Sequence, residues 1–429
     1  MLTLYIFAVL IGLLAINVPV VVAIGLTSVI FFAVLGQGNF LAMLPHRMYF
    51  GTTGFTLLAI PFFILAGNLM NTGGITRRIF RFAGAMVGHV PGGLGQVNII
   101  ASVIFSGMSG SAIADAAGLG QIEHKAMVDD GYDPVVSASL VAASSVIGPV
   151  IPPSIPFVLY GAITGVSVAR LFMAGFLPGI IMSLGMMAAL AVLAKRRNYP
   201  CSACRTPARE AWASFRGAFW ALMAPVIIIG GIMTGFFTPT EASVVVCIYA
   251  AVLGFAYRDL KLRDLPGILF ASLQQSVSLL FIIAAANFFG WLIIHQKIPD
   301  RIIAGLVAMG ASQAHVLIIM MGVVLMLVCF IEGNAIFLIT LPIFMPVARM
   351  FGIDLVNFGV VMTLLIMIGN LTPPVGMCLF AVDSFARVGI IPLSREVLPY
   401  LAVIFAVTVL IAFVPGISLF LPRLMMGGM

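Results

Sequence analysis

Apolar runs long enough to cross a bilayer recur from one end of this chain to the other, and they exclude a soluble fold. Ala218–Gly235, Val316–Phe330 and Leu398–Leu419 reach or approach the roughly 20 residues that a helix needs to traverse a hydrocarbon core. Charge is correspondingly scarce. Only 8% of the 429 residues are Asp, Glu, Lys or Arg, where a soluble domain carries about 25%. The expected fold class is an all-α polytopic membrane protein. The net charge of +7 is no nucleic-acid signal, because the basic residues sit in short loops between apolar spans. The first residues, MLTLYIFAVLIG, have neither a basic n-region nor a small-residue cleavage site, so this segment is expected to stay in the mature chain.

The chain reads as a duplication. IGPVIPPS (Ile147–Ser154) matches IGNLTPPV (Ile368–Val375), and the same offset carries Leu177-Pro178 onto Leu398-Pro399. SGSAI (Ser109–Ile113) aligns with EGNAI (Glu332–Ile336), and FILAGN (Phe63–Asn68) with FIIAAAN (Phe281–Asn287). Each half then parses alike. The first has spans near 2–16, 19–36 and 53–71, an amphipathic arm near 76–90, an interrupted segment 97–120, a broken span 135–165 and a span 170–193. The second has spans 217–235, 241–257 and 272–295, an arm 299–309, an interrupted segment 314–347, a broken span 355–386 and a span 396–421.

Charge bears on that parse. If each interrupted segment is re-entrant, each half makes an odd number of crossings and the halves are inverted repeats. One face then carries most of the 21 basic residues: Arg77, Arg78, Arg81, Lys125, the 195–216 loop, Arg258, Lys261, Arg263, Arg387 and Arg395. The other face has Arg47, Arg170, Lys297, Arg301, Arg349 and Arg423. By the positive-inside rule the first face is cytoplasmic and both termini lie outside the cytoplasm.

Irregular backbone at membrane depth is tolerated only where it is buried in protein or lines a water-filled cavity. In inverted-repeat transporters, broken helices aim their N-termini at anionic substrates and bind Na⁺ with freed carbonyls. FSGMSGSAIADAAGLG (Phe105–Gly120) reads as such a tip, with glycines for the turn and Ser106, Ser109 and Ser111 as oxygen donors. In SSVIGPVIPPS, Pro149, Pro152 and Pro153 remove backbone donors and free carbonyls. The expected first sodium site is therefore Ser106, Gly107, Ser109, Ser111, Ser144, Ser145, Gly148 and Pro149. Its counterpart is Glu332, Gly333, Asn334, Gly369, Asn370, Thr372 and Pro373. These are hard oxygen donors, suited to a small hard cation. A small-x-x-small pattern alone more often marks close helix packing. Four motifs arranged as two repeat-related pairs favour ion and substrate sites instead.

Other features carry less. In GFFTPTEAS, Thr238 as N-cap, Pro239 at N1 and Glu241 at N3 predict a capping box. Asp115 and Asp383 lie in apolar surroundings with no visible basic partner, so each either serves function or caps backbone groups at a break. Cys247, Cys329 and Cys378 read as packing residues. Cys201 and Cys204 form a C-x-x-C without the further ligands a zinc site needs. No lysine follows a glycine, which excludes a P-loop pump. Gly107-Met108-Ser109-Gly110 matches the G-x-S-G of rhomboid-type intramembrane proteases. A serine nucleophile needs a base, however, and His46, His89, His124, His295 and His315 all fall at loops or span ends in this parse. A passive channel fits two closed hairpins less well than alternating access does.

The combination FSGMSGSAIADAAGLG, SSVIGPVIPPS, GFFTPTEAS and GNLTPPVG resembles the large membrane subunit of TRAP (tripartite ATP-independent periplasmic) transporters over essentially the whole chain. The resemblance implies a Na⁺-coupled secondary transporter of the bacterial inner membrane, working as an elevator and carrying organic carboxylates such as sialic acids or C4-dicarboxylates. It implies as partners a small four-helix membrane subunit and a soluble periplasmic binding protein. Residues 1–75 and 217–297 would be scaffold helices, 194–216 a cytoplasmic loop, and 76–193 and 298–429 the transport domain, with an inward-facing and an outward-facing hairpin. The substrate would meet Ser109, Gly110, Ser111, Pro152, Pro153, Asn334 and Pro374. A stand-alone Na⁺/carboxylate symporter without a binding protein is the alternative reading.

Overall fold

The computed structural model describes residues 2–200 and 206–427, so the Cys201/Cys204 pair lies outside the described residues. These residues form α-helices joined by short turns. The first half comprises α1 (Leu2–Ala15), α2 (Val20–Val34), α3 (Leu44–Thr52), α4 (Ala59–Thr72), α5 (Ile75–Val87), α6 (Gly93–Ser109), α7 (Ala112–Ala117), α8 (Leu119–Asp129), α9 (Pro134–Ser145), α10 (Ile155–Thr164) and α11 (Val168–Arg197). The second comprises α12 (Ala208–Met233), α13 (Pro239–Ala256), α14 (Leu265–His295), α15 (Ile298–Ala308), α16 (Gln313–Val328), α17 (Gly333–Met350), α18 (Leu355–Asn370), α19 (Met377–Ala386), α20 (Ile390–Phe413) and α21 (Pro415–Met426). Seven helical stretches among the described residues are long and apolar enough to cross a membrane: Phe55–Thr72, Val168–Arg197, Ala208–Met233, Pro239–Ala256, Leu262–His295, Gly333–Met350 and Ile390–Phe413.

The expected breaks are present. Helix α9 stops at Ser145 and α10 resumes only at Ile155, while α18 stops at Asn370 and α19 resumes at Met377. Proline dictates both gaps, because Pro149, Pro152, Pro153, Pro373 and Pro374 cannot donate into a helical ladder. Ser154 rescues the restart of α10: its hydroxyl donates to the Pro149 carbonyl and accepts the Phe157 N–H at 3.3 Å. The interrupted segments also fold back on themselves. Helix α6 packs against α7 and α8, and α16 against α17.

Burial separates centre from periphery. Every residue of α9 from Val136 to Ser145, and of α18 from Asn357 to Gly369, is buried. A helix buried all round belongs in the middle of a bundle. Helix α14, by contrast, exposes Leu269, Phe270, Leu273 and Val277 along one face, an apolar stripe suited to lipid. Helix α4 packs against α13 and α5 against α12, so the two halves interlock and do not stand side by side.

The capping box of α13 is as the sequence predicts. Glu241 accepts the Thr238 N–H at 2.8 Å while the Thr238 hydroxyl accepts the Glu241 N–H at 3.3 Å. The segment 194–216, expected as a loop, is already helical from Ala208, where α12 begins, and two further elements differ from the sequence parse. The span expected at 396–421 is two helices, because Pro415 at N1 starts α21 as a separate element. Helix α3, with the mixed run LPHRMYFGT, has too little apolar periodicity to be read from sequence.

Candidate transport site

At the first tip α6 ends where Gly110 takes a left-handed conformation, φ 63°, open to glycine at little cost. Ser111 follows in extended backbone and N-caps α7, accepting the Ala114 N–H at 3.4 Å. The Gly110 carbonyl accepts the Ile155 N–H at 3.3 Å, which ties the tip to the restart of the first broken span. A Cβ on Gly110 would lie 2.6 Å from the Pro153 carbonyl oxygen. Tip and break are thus in backbone-to-backbone contact.

Behind the tip sits Asp115, 2% exposed. It accepts a short hydrogen bond from the Ser109 hydroxyl through Oδ1, and its Oδ2 is buried without a hydrogen-bond partner. A Cβ on Gly148 would lie 2.2 Å from Oδ2, so the carboxylate rests directly on the freed backbone of the break. Three other serines of tip and break turn their protons into their own helices. Ser106 donates to Val103 O at 2.6 Å, Ser144 to Val141 O at 3.2 Å and Ser145 to Ala142 O at 2.8 Å. A hydroxyl whose proton is so committed presents only lone pairs to anything else, the polarity a cation needs.

The second tip is built differently. Glu332 N-caps α17, its carboxylate accepting the N–H groups of Asn334 and Ala335, each at 3.1 Å, and the Asn334 amide at 2.6 Å. A carboxylate so engaged at a helix N-terminus is stabilised by the helix dipole. Gly333 is pressed against Ile366 of α18 and Gly369 against Val328 of α16, with hypothetical Cβ contacts of 2.1 and 2.4 Å. Thr372 donates to Ile368 O at 2.7 Å, and Asn370 lies beside Met367.

Both tips open onto one cavity of about 1060 Å³. Gly110 and Ser111 line it from the first tip, Glu332 and Asn334 from the second, Pro149 and Ile155 from the first break, and Asn370 from the second. The other named residues stand elsewhere. Ser106, Gly107, Ser109, Ser144, Ser145, Gly148, Pro152 and Pro153 are buried behind the wall, and Pro373 and Pro374 are exposed beyond the Asn370 end. Sequence reasoning missed the amides that complete the lining, Asn68 and Asn71 of α4 and Gln274 and Gln275 of α14, with Ser278 beside them. The Asn68 amide donates to Ser272 at 2.8 Å. A signal was available, because Asn68 closes one of the repeated segments.

Two further carboxylates hold structural contacts, although Glu123 Oε1, like Asp115 Oδ2, is buried without a hydrogen-bond partner. Asp383 accepts the Gly389 N–H at 2.7 Å and caps the turn after α19, one of its two expected roles. Glu123 of α8 takes a short hydrogen bond from the Asn98 amide of α6, clasping the two arms of the first hairpin. Ser109, the serine of the G-x-S-G match, has Asp115 as its partner and no histidine.

Comparison with known proteins agrees with this architecture. The model of the family described as "Tripartite ATP-independent periplasmic transporter, DctM component" matches residues 7–417. The chain is 42% identical over 96% of its length to the sialic acid TRAP transporter permease protein SiaT of Haemophilus influenzae, and it spans 66% of that protein. It is 42% identical over 92% of its length to the sialic acid TRAP transporter large permease protein SiaM of Vibrio cholerae, covering 93% of it. To the C4-dicarboxylate TRAP transporter large permease protein DctM of Rhodobacter capsulatus it is 37% identical, covering 98% of this chain and 99% of that one. Among solved structures, the Alcanivorax borkumensis YdaH transporter superposes with a TM-score of 0.52 at 14% identity over 89% of each chain. Neisseria gonorrhoeae MtrF superposes at 0.53 and 15%, over 88% of this chain and 84% of that one, a likeness of fold alone. This chain belongs to the family of DctM components of tripartite ATP-independent periplasmic transporters, as a multi-pass, non-enzymatic permease of the inner membrane.

Proposed function

We propose that the chain carries an organic carboxylate inward, coupled to Na⁺, in the cavity between its two hairpin tips. The observation that carries this reading is the single cavity of about 1060 Å³ lined by both tips and both helix breaks. Sodium ions bind behind each tip. At the first they meet the lone pairs of Ser106, Ser109, Ser144 and Ser145, the unpartnered oxygen of Asp115 and the backbone around Gly148 and Pro149. At the second they meet the backbone and side chains of Gly333, Asn334, Gly369, Asn370 and Thr372. The solute rests against Gly110, Ser111 and Asn334, and the lining amides of Asn68, Asn71, Gln274 and Gln275 supply hydrogen bonds.

The energetics close without ATP. One charge moving down 100 mV releases about 2.3 kcal/mol, and a tenfold Na⁺ gradient adds about 1.4 kcal/mol. Two Na⁺ ions release roughly 7 kcal/mol against the ~2.3 kcal/mol that moving a monoanion inward requires. The remaining ~5 kcal/mol sustains accumulation on the order of a thousandfold. The inverted halves let one bundle, the hairpins with the broken helices, slide as an elevator past the other. The solute is a sialic acid, as in the two relatives of highest identity reported above, delivered by a periplasmic binding protein to this chain and a small membrane subunit. Uptake of N-acetylneuraminate and of succinate into proteoliposomes holding both membrane subunits tests this. Accumulation of N-acetylneuraminate that needs both a Na⁺ gradient and the binding protein is the expected result. Accumulation without the binding protein makes the chain a stand-alone symporter, and indifference to Na⁺ overturns the coupling.

A further inference from the structure

A second cavity, about 490 Å³, opens between α3, α14 and α17. Two arginines line it, Arg47 of α3 and Arg349 at the end of α17, together with Thr56, Asn287 and Trp291. No carboxylate lines it, and among the described residues neither arginine is in an ion pair. Asp354, on the loop after α17, N-caps α18, its Oδ1 accepting the N–H groups of Val356 and Asn357, both at 2.9 Å. The Arg47 guanidinium lies over the Trp291 ring, 5.2 Å from its centroid, and its Nε is buried with no hydrogen-bond partner. An N–H of a charged group left buried and unpaired is costly, and an anion supplied from outside removes that cost. A guanidinium fork matches a carboxylate through two parallel hydrogen bonds, and an indole beside it suits the carbon body of a solute.

The place of this cavity in the fold gives it a direction. Gln274 lines the large cavity and Trp291 the second, about 25 Å further along the same helix at roughly 1.5 Å per residue. Helix α17 likewise offers Asn334 to the first cavity and Arg349 to the second. The two linings adjoin on α14, where Ile282 belongs to the first cavity and Ile283 to the second. Arg47 and Arg349 both belong to the basic-poor face, the one the positive-inside rule sets outside. We propose that Arg47, Trp291 and Arg349 form a second anion site, an external vestibule that holds the carboxylate of a free solute before the second hairpin admits it. This rests on the carboxylate-transport reading above.

The test uses the complex of both membrane subunits with Trp291 as its sole tryptophan, all others being replaced by Phe. N-acetylneuraminate, succinate and bicelles containing phosphatidylglycerol are titrated against its fluorescence, and uptake is measured on the same preparations. A saturable response to a free carboxylate is expected. Arg47→Gln is expected to weaken it about tenfold and to raise the half-saturating solute concentration for uptake by a similar factor. Arg349→Gln, at an exposed position, provides the same reading should Arg47→Gln fail to insert. Uptake with no response of Trp291 to either solute overturns the site and leaves the transport reading intact. A response to the bicelles alone also overturns it, making the cavity a lipid headgroup site. A saturable, Arg47-dependent response without Na⁺-driven uptake upholds the site and overturns the transport reading.

Discussion

Gly110→Ala is expected to lower Na⁺-driven uptake at least about a hundredfold, the equivalent of roughly 3 kcal/mol, while the chain still inserts at normal levels. Two costs add. A side chain at φ 63° costs on the order of 1–2 kcal/mol, and the new Cβ would lie 2.6 Å from the Pro153 carbonyl oxygen and 3.2 Å from Ile155 N. Those neighbours are backbone and have no rotamer to retreat into. Relief comes only by parting the tip from the break, which also releases the Ile155 N–H from the Gly110 carbonyl. Proteoliposome uptake measures the outcome. Activity within twofold of wild type would mean that contact between tip and break plays no part in transport.

Asp115→Ala carries the second large effect. Its carboxylate is the one charged group at the first tip that combines a bond to a proposed ion ligand, Ser109, with an unpartnered buried oxygen. Removing it is expected to raise the Na⁺ concentration for half-maximal uptake at least tenfold, about 1.4 kcal/mol of lost ion binding. Asp115→Asn separates charge from shape, since the amide oxygen still accepts the Ser109 hydroxyl. It is expected to shift the Na⁺ dependence nearly as far. Wild-type Na⁺ dependence in Asp115→Asn would reduce Asp115 to a clasp on the tip.

Much of this was legible in the sequence because its physical causes are local. The clustered prolines 149, 152, 153, 373 and 374 interrupt their helices, whereas lone Pro178 and Pro225 stand inside continuous ones, and the Gly110 turn and the Thr238–Glu241 box are properties of a few neighbouring residues. What joins distant segments was not legible. Asn71 and Gln274 face the same cavity from different halves of the chain, and an isolated amide in an apolar run signals no partner. The roles of carboxylates were equally hidden. Asp383 and Asp115 have similar surroundings in sequence, yet one caps a turn and the other lies under a tip. Glu332, expected among the second sodium site's residues, also caps α17 through its carboxylate, a role its sequence surroundings do not signal.

One solute site shared by both tips would be revealed by protection of paired cysteines. Ser111→Cys and Asn334→Cys would each be placed in a chain whose five native cysteines have been replaced, with the small subunit, in liposomes. A hydrophilic maleimide then labels each position with and without N-acetylneuraminate, in Na⁺ and in K⁺. Solute is expected to slow labelling at both positions, and only when Na⁺ is present. Protection at one tip alone, or equal protection in K⁺, would contradict it.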